Sequence, residues 1–297
     1  MITVLLSAYN GEKYIREQLN SILAQEEVEC KVLVRDDGSS DRTKEILEEY
    51  SAMGVSWYSG KNIGWAKSFM DLVRTASESD YYAFSDQDDV WFSNKLSAGI
   101  SLLESKPDSG PKLYFCNQFC WRNGEIVGKV HSIEPSFNKY DCMVKNPTFG
   151  CTMVFNKALM DIVRNNFPVY LTSHDYFFYQ VAMTVGEVYY DHEAYMKYRL
   201  HDNNQSGASE SRRKIWLKRY KSFKKIWNDH DREFMAQELL RSYGHLMDDK
   251  TRKIVETPAY YRKSMNNYLR FLFSNRYIFH KFSIDFWLKM RILICHF

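Results

Sequence analysis

Asp86, Asp88 and Asp89 fall within one four-residue stretch, directly after the apolar run Tyr81 to Ser85. Carboxylates held that close repel one another, and a cation relieves the repulsion. A hard divalent ion suits them, because Mg2+ or Mn2+ takes oxygen ligands, binds through one or two carboxylates and completes its shell with phosphate oxygens and water. The same residues would also serve as a solvated acidic turn, or as acids at the start of a helix over Trp91 to Leu103. A second pair, Asp36 and Asp37, precedes Gly38, Ser39 and Ser40. One of the two can cap that turn. The other can accept the imide N–H of uracil or thymine, a donor that cytosine lacks. Asn62, Gly64 and Lys67 supply small residues and a cation where a diphosphate could approach a helix start.

These residues are useful only if the chain brings them together. Short β-rich runs alternate with helical spacing over the first 110 residues, the signature of βαβ units and a parallel sheet. Strands are expected at Ile2 to Ala8, Lys31 to Arg35, Val55 to Tyr58 and Tyr81 to Ser85. Helices are expected over Glu12 to Ala24, Asp41 to Tyr50 and Trp65 to Ala76, with Asp41 as an N-cap and Glu45 as an early-turn acid. Right-handed crossovers would put the strands' carboxyl ends on one rim, where open α/β sheets bind ligands. Tyr9-Asn10-Gly11, Asp36 to Ser40 and Asp86 to Asp89 all follow such ends. Beyond Pro111 a mixed, largely antiparallel extension is expected, with strands at Leu113 to Phe119, Glu125 to Val130, Thr152 to Phe155 and Glu187 to Tyr190. From Ser209 the sequence is helical in period and basic, which sets a boundary near residue 210.

Composition supports an ordered chain: 45% of its 297 residues are apolar and 16% aromatic. The six cysteines show no paired metal-ligand spacing, and Cys116 and Cys120 are read as structural. With no signal-like segment before Ile2, a reducing, cytoplasmic setting is expected. No run approaches the length of a membrane-spanning helix. The net charge of +3 conceals an asymmetry: residues 211–297 carry 20 Lys and Arg against 8 Asp and Glu, or +12, and residues 1–210 carry −9. The basic part interleaves Trp216, Tyr220, Phe223, Trp227, Phe271, Phe273, Trp287 and Phe297. Such helices either lie on an anionic membrane surface or pack an apolar face on a core. No nucleic-acid recognition motif accompanies the charge.

Ser7-Ala8-Tyr9-Asn10-Gly11, Arg35 to Asp41 and Phe84-Ser85-Asp86-Gln87-Asp88-Asp89-Val90-Trp91 together resemble the motifs of family 2 inverting glycosyltransferases with the GT-A fold. The last of them also resembles bacterial rhamnosyltransferases of capsular and cell-wall polysaccharides. The resemblance covers about residues 1–207 and implies a Rossmann-like mixed sheet flanked by helices, a GT-A catalytic domain over 1–210 and a basic, aromatic-rich helical region over 211–297. It implies that Ser7, Tyr9 and Asp37 face the nucleoside, with Asn10, Asp36, Asn62, Gly64, Lys67 and Gln87 also near the donor. Asp86 would meet the ribose and, with Asp88, the metal-bound diphosphate. His174-Asp175 occupies the place of the catalytic base, assigned to Asp175, which otherwise caps a helical run over Tyr176 to Thr184. The segment from Asn146 to Phe155 resembles the lining of the sugar and acceptor site, so Gly150, Cys151, His174 and Trp91 are assigned there. Tyr198 to Asn204 resembles a late basic motif in which Arg199 or His201 closes over the diphosphate or metal. Ser68 and Leu200 depart from the family pattern and leave the donor sugar open.

The implied reaction is in-line attack of an acceptor hydroxyl on the anomeric carbon, with Asp175 as general base and Mg2+ or Mn2+ neutralising the leaving diphosphate. dTDP-L-rhamnose is the expected donor, and a UDP-linked hexose or N-acetylhexosamine the alternative. A lipid-linked glycan acceptor would bring the chain to the inner face of a bacterial membrane. Sugar-phosphate nucleotidyltransferases are a rival class, but they carry a Gly-rich basic loop after the first strand, which Tyr9-Asn10-Gly11 is not. A scaffold that kept the fold and lost catalysis is disfavoured by the intact set Asp86, Asp88, Asp175 and His201.

Overall fold

A strand that reads as a nearly unbroken apolar run must be covered on both faces, and the run Ile2–Ala8 becomes an interior strand of a large sheet. The computed structural model of the chain describes residues 1–107, 110–200, 230–279, 281–295 and 297. These divide into two compact units, Met1–Ser136 with Asn146–Arg199, and Phe137–Lys145 with Leu200–Phe297. The expected boundary near residue 210 lies outside the described residues.

In the first unit β1 (Ile2–Ala8) pairs in parallel with β2 (Cys30–Asp36) on one side and β4 (Tyr81–Ser85) on the other. β3 (Val55–Ser59) lies parallel outside β2. Beyond β4 the direction reverses: β8 (Met153–Asn156) runs antiparallel to β4 and to β6 (Lys112–Arg122). β6 then pairs in parallel with β9 (Glu187–Arg199) and antiparallel with β7 (Glu125–Lys129), and β5 (Val90–Trp91) closes on the far end of β9. The order is β3-β2-β1-β4-β8-β6-β9-β5, with β7 on β6. Helices α1 (Ile15–Leu23), α2 (Thr43–Ser51), α3 (Trp65–Thr75), α4 (Lys95–Glu104), α5 (Lys157–Asn165) and α6 (His174–Val185) flank this mixed sheet. α1 buries Ile15, Gln18, Leu19 and Ile22, the i, i+3, i+4, i+7 face of an amphipathic helix.

Three elements differ from expectation. Trp91 does not open a helix: it pairs with Met196 in β5, and α4 starts at Lys95. β9 runs for 13 residues and not four, since long pairing with β6 carries the backbone through the polar stretch Asp191-His192-Glu193. The side chain of Asp41 does accept the Thr43 N–H at 3.0 Å, although the helix cap position falls on Arg42.

The second unit contains α7 (Asp231–Tyr243), α8 (Asp249–Ala259), α9 (Met265–Phe273) and α10 (Phe282–Leu293). Phe271 is its aromatic centre, set edge-on against Tyr261, Tyr277 and Phe297. Lys289 Nζ donates to the carbonyls of Phe271 and Ser274 at 2.9 and 2.8 Å, satisfying the exposed end of α9. Of the aromatic residues in the basic region, Phe271 and Phe297 are therefore core, Phe273 is exposed and Trp287 half-buried. Trp216, Tyr220, Phe223 and Trp227 lie outside the described residues. Among the described residues no helix is long and apolar enough to cross a membrane.

α4 packs on the sheet through Gly99, where an added Cβ would stand 2.9 Å from Val154 Cγ2 and 3.1 Å from the Tyr114 ring. Gly to Ala inside a helix ordinarily stabilises by up to about 1 kcal/mol. Here the overlap reverses the sign, and Gly99→Ala is expected to destabilise by roughly 1–2 kcal/mol. A urea midpoint equal to or above that of the parent chain would show that the helix does not rest on this close approach.

Candidate active site

The parallel pairing of β1 with β2 and β4 sets three turns side by side at the strands' carboxyl ends, and polar contacts then lock them. The Gln87 side chain grips the Tyr9 backbone, accepting its N–H at 2.8 Å and donating to its carbonyl at 3.0 Å. Asn10 takes a left-handed conformation with φ of 48° and accepts the Ser40 N–H at 2.9 Å, while its own N–H reaches Ser39 Oγ at 2.9 Å. Gly11 is required by the same clamp, since a Cβ would lie 2.3 Å from Gln87 Oε1. Gln87 and Asn10, expected at the donor, thus act on the frame that carries Tyr9, whose side chain is exposed. Ser7 Oγ lies 2.6 Å from Ser68 Oγ.

The two acids at the end of β2 are both buried. Asp36 is buried and holds the turn: it accepts the Ser39 N–H at 3.1 Å and the Ser59 hydroxyl at 2.6 Å. Asp37 is only 2% exposed. Its carboxylate pairs with Arg35 and accepts the N–H groups of Ile63 and Gly64 at 2.9 and 3.0 Å. Asp37 thus fixes the loop that leads into α3, where Gly64 takes a φ of 83° as the N-cap. Asn62 and Lys67 are exposed beside it.

Across the rim, β4 ends in the acidic motif. The carboxyl of half-buried Asp86 is pushed up to about 7 by desolvation, then by the charges of Asp88 and Asp175. Asp89 is buried, and its carboxyl stands well above the usual range through desolvation and the charges of Asp88 and Asp86. One oxygen of Asp89 accepts the Arg199 N–H at 3.1 Å, and the other has no hydrogen-bond partner among the described residues. Ligand atoms of Asp86, Asp89 and Cys151 lie within 4.8 Å of one another. Cys151 is buried and its thiol is pushed up by desolvation and both acids. Oxygen donors and crowded like charge fit a hard divalent ion, and the carboxylate whose oxygen converges with that of Asp86 is Asp89, with Asp88 acting on both through its charge. His201, the further expected ligand, lies outside the described residues.

Asp175 sits at the start of α6, where Ser173 is the N-cap. Its carboxylate accepts the Ser173 hydroxyl and the Tyr176 N–H on one oxygen and the Asn146 amide at 3.2 Å on the other. The neighbouring His174 turns inward, 3% exposed, and stacks on Phe69 with ring centres 3.8 Å apart. Neither of its ring nitrogens has a hydrogen-bond partner among the described residues, and desolvation lowers its pKa to about 4. Gly150 makes room for it, because a Cβ there would stand 2.6 Å from His174 Nε2.

Three further residues sit in settings other than those expected. His174 and Trp91 are packing groups and not pocket walls; Trp91 is buried with Lys95 Nζ 3.7 Å above its ring. Arg199 is not free for a phosphate. Its guanidinium lies over the rings of Tyr14 and Trp121, pairs with Glu17 and donates to the Asp88 carbonyl at 2.8 Å. Sequence reasoning assigned no role to Arg35, Ser173 and Lys95, and placed Asn146 only within the segment lining the sugar and acceptor site. Arg35 carried a signal, a cation in a strand end beside two acids, and Ser173 another, a capping residue before α6.

A family model described as Glycosyl transferase family 2 matches residues 3–161. The chain is 31% identical over 226 residues to the dTDP-rhamnosyl transferase RfbG of Shigella flexneri, covering 69% of this chain and 75% of that one. It is 26% identical to the UDP-Glc:alpha-D-GlcNAc-diphosphoundecaprenol beta-1,3-glucosyltransferase WfgD of Escherichia coli, over 82% of this chain and 90% of that one. In fold it is similar to S. aureus TarS in complex with UDP-GlcNAc, with a TM-score of 0.57 and 18% identity over 92% of this chain and 76% of that one. It is also similar to the mannosyltransferase PcManGT from Pyrobaculum calidifontis in complex with GDP-Man and Mn2+, with a TM-score of 0.54 and 12% identity over 99% and 86%. These likenesses give the mixed sheet its class, the GT-A fold.

Two stability measurements separate framework from ligand contact. Asp37→Asn is expected to cost about 3 kcal/mol in the absence of any nucleotide, because it breaks a buried pair and loosens the Ile63 and Gly64 N–H groups. A stability loss below about 0.5 kcal/mol, with weakened nucleotide binding, would restore the nucleoside contact. His174 gives a pH dependence of known sign. Its folded pKa, about 4, lies below the ordinary 6.5, so the unfolded chain takes up the proton first and stability falls as pH drops through that window. Between pH 8 and pH 5 the parent should lose about 2 kcal/mol more than His174→Leu, read as the difference between their urea curves. Equal slopes for the two proteins would mean that His174 keeps its proton when folded.

Proposed function

The chain belongs to glycosyl transferase family 2, and on that premise we propose that its first unit transfers a sugar from a nucleotide-sugar donor to a glycan hydroxyl with inversion, Asp175 acting as the base. The observation that carries this reading is the placement of Asp175 at the head of α6, with its two oxygens held by Ser173, the Tyr176 N–H and Asn146 and its charge acting on Asp86. A base for in-line attack must stand within hydrogen-bond reach of the acceptor hydroxyl and close to the leaving diphosphate. The carboxylate at the head of α6 would serve both needs. Ser173 and Asn146 orient its two oxygens, and His174 anchors the turn in an apolar pocket beneath it.

Asp86 and Asp88 would hold Mg2+ or Mn2+, with His201 as a further ligand, and the ion would neutralise charge collecting on the diphosphate. Tyr9, on its clamped turn, is available to the nucleoside, and Asn62 and Lys67 to the phosphates. dTDP-L-rhamnose is the proposed donor, supported by the likeness to RfbG. A UDP-hexose is the second reading, supported by WfgD, which matches a larger share of both chains. The proposed acceptor is a lipid-linked bacterial glycan, which would set the protein at the inner face of the plasma membrane.

Asp175→Asn should reduce transfer by at least about a hundredfold while donor and metal still raise the melting temperature as in the parent. The parent should respond to dTDP-rhamnose in the presence of Mg2+ or Mn2+. Stabilisation by a UDP-sugar instead would replace the donor, and normal turnover by Asp175→Asn would remove that residue as the base.

A further inference from the structure

The second unit contains a cleft of about 760 Å³ between α8, α9 and the turn from Ser274 to Tyr277, with Tyr140 on its wall. Its charged lining is Lys250, Lys253, Arg270 and Arg276 against a single acid, Asp249. Among the described residues Lys250, Lys253 and Arg270 make no ion pair, whereas nearby acids already have partners: Asp248 with Lys139, and Glu256 with Arg252. Arg276 is held in place, donating to the Tyr140 hydroxyl at 2.7 Å with its guanidinium 5.2 Å from that ring. Such a cleft attracts an anion.

The apolar side of the same cleft continues onto solvent. Leu269 and Phe273 line it, and with Met265 they follow at i, i+4 and i+8 along one face of α9. They are 72%, 45% and 73% exposed for Met265, Leu269 and Phe273, while Phe271 faces the core. A helix that turns an apolar stripe outward beside a set of cations has the composition of a helix lying in a membrane interface. A second copy of the chain is a poorer occupant, because a two-fold contact would bring the same cations face to face.

We propose that this cleft and the outer face of α9 form a docking surface for an anionic phospholipid bilayer. Headgroup phosphates enter among Lys250, Lys253, Arg270 and Arg276, and Met265, Leu269 and Phe273 enter the acyl boundary. The proposal rests on the peripheral location given above and gives it a definite contact. It is independent of sugar transfer, since vesicle binding is read without donor or acceptor.

The test is flotation of the full chain with phosphatidylcholine vesicles and with vesicles of equal parts phosphatidylcholine and phosphatidylglycerol. The intact chain should float with the anionic vesicles alone and be released by high salt. Lys253→Glu with Arg270→Glu, and separately Leu269→Ser with Phe273→Ser, should each weaken binding at least about tenfold. All four residues are exposed, so melting curves should match the parent. Lys13→Glu with Lys44→Glu, exposed positions of the first unit, should leave binding intact. Undiminished flotation of either cleft variant would overturn the proposal, as would equal binding to neutral vesicles. Loss of binding on reversing Lys224 and Lys225 while the cleft variants still float would move the contact elsewhere. Release by inorganic phosphate beyond that of chloride at equal ionic strength would assign the cleft to free phosphate. Self-association lost in the Leu269 and Phe273 variant, without vesicle binding, would assign the face to a second copy.

Discussion

Like charge held at short range is the constraint on which the first unit is built. Two carboxylates 4 Å apart repel by about 4 kcal/mol at an effective dielectric near 20. Here Asp88 and Asp175 together bear on Asp86, with Asp89 buried behind. The cations carried by the neighbouring elements have other partners, although the Arg199 backbone N–H and guanidinium also reach Asp89 and the Asp88 carbonyl, and buried Lys95 acts on Asp89 through its charge. Arg35 binds Asp37 and Asp71, Arg199 is held by Glu17 and two aromatic rings, and Lys95 is buried over Trp91. The fold thus concentrates negative potential at one rim and leaves its relief to what binds there.

Holding such a cluster in place calls for a particular kind of contact. A guanidinium beside Asp175 would orient it and also neutralise its field. The groups that do orient it, the Asn146 amide, the Ser173 hydroxyl and a backbone N–H, are uncharged and leave its charge available. The turn after β1 follows the same logic: it is clamped by Gln87, Asn10 and Ser39, all neutral. Strong ion pairing is kept for Asp37, whose task is to fix the loop before α3.

The parts legible in the sequence were those set by local pattern. β1, β2, β4 and α3 could be read from apolar runs and helical period, and the polar turns at their ends pointed to the rim. What escaped depended on distant pairing. β5 exists because Val90 and Trp91 find Lys197 and Met196, more than a hundred residues away. Arg199 reads as a free cation in a basic motif until Glu17, Tyr14 and Trp121 close on it. Asp37 and Asp36 are equivalent on paper, and only the folded chain decides that Asp37 meets Arg35 while Asp36 takes the Ser39 N–H and the Ser59 hydroxyl. His174 beside Asp175 suggested a pocket lining, but the first turn of a helix points adjacent side chains to different faces, and this one meets Phe69 and Phe84.

The charge asymmetry read from the sequence, −9 before residue 211 and +12 after it, resolves into two local chemistries. Net charge alone would suggest a nearly neutral chain with no strong preference among partners. Each unit, however, keeps a group of like charges that its own folding does not neutralise: carboxylates at the rim of the sheet in one, and lysines and arginines around the helical cleft in the other. Surface charges that serve only solubility are ordinarily mixed in sign, because segregation adds repulsion without adding contact. Segregation kept in two separate places, once with oxygens converging on the end of a strand and once with cations beside an exposed apolar stripe, is the arrangement expected of surfaces whose stabilising partners come from outside the chain.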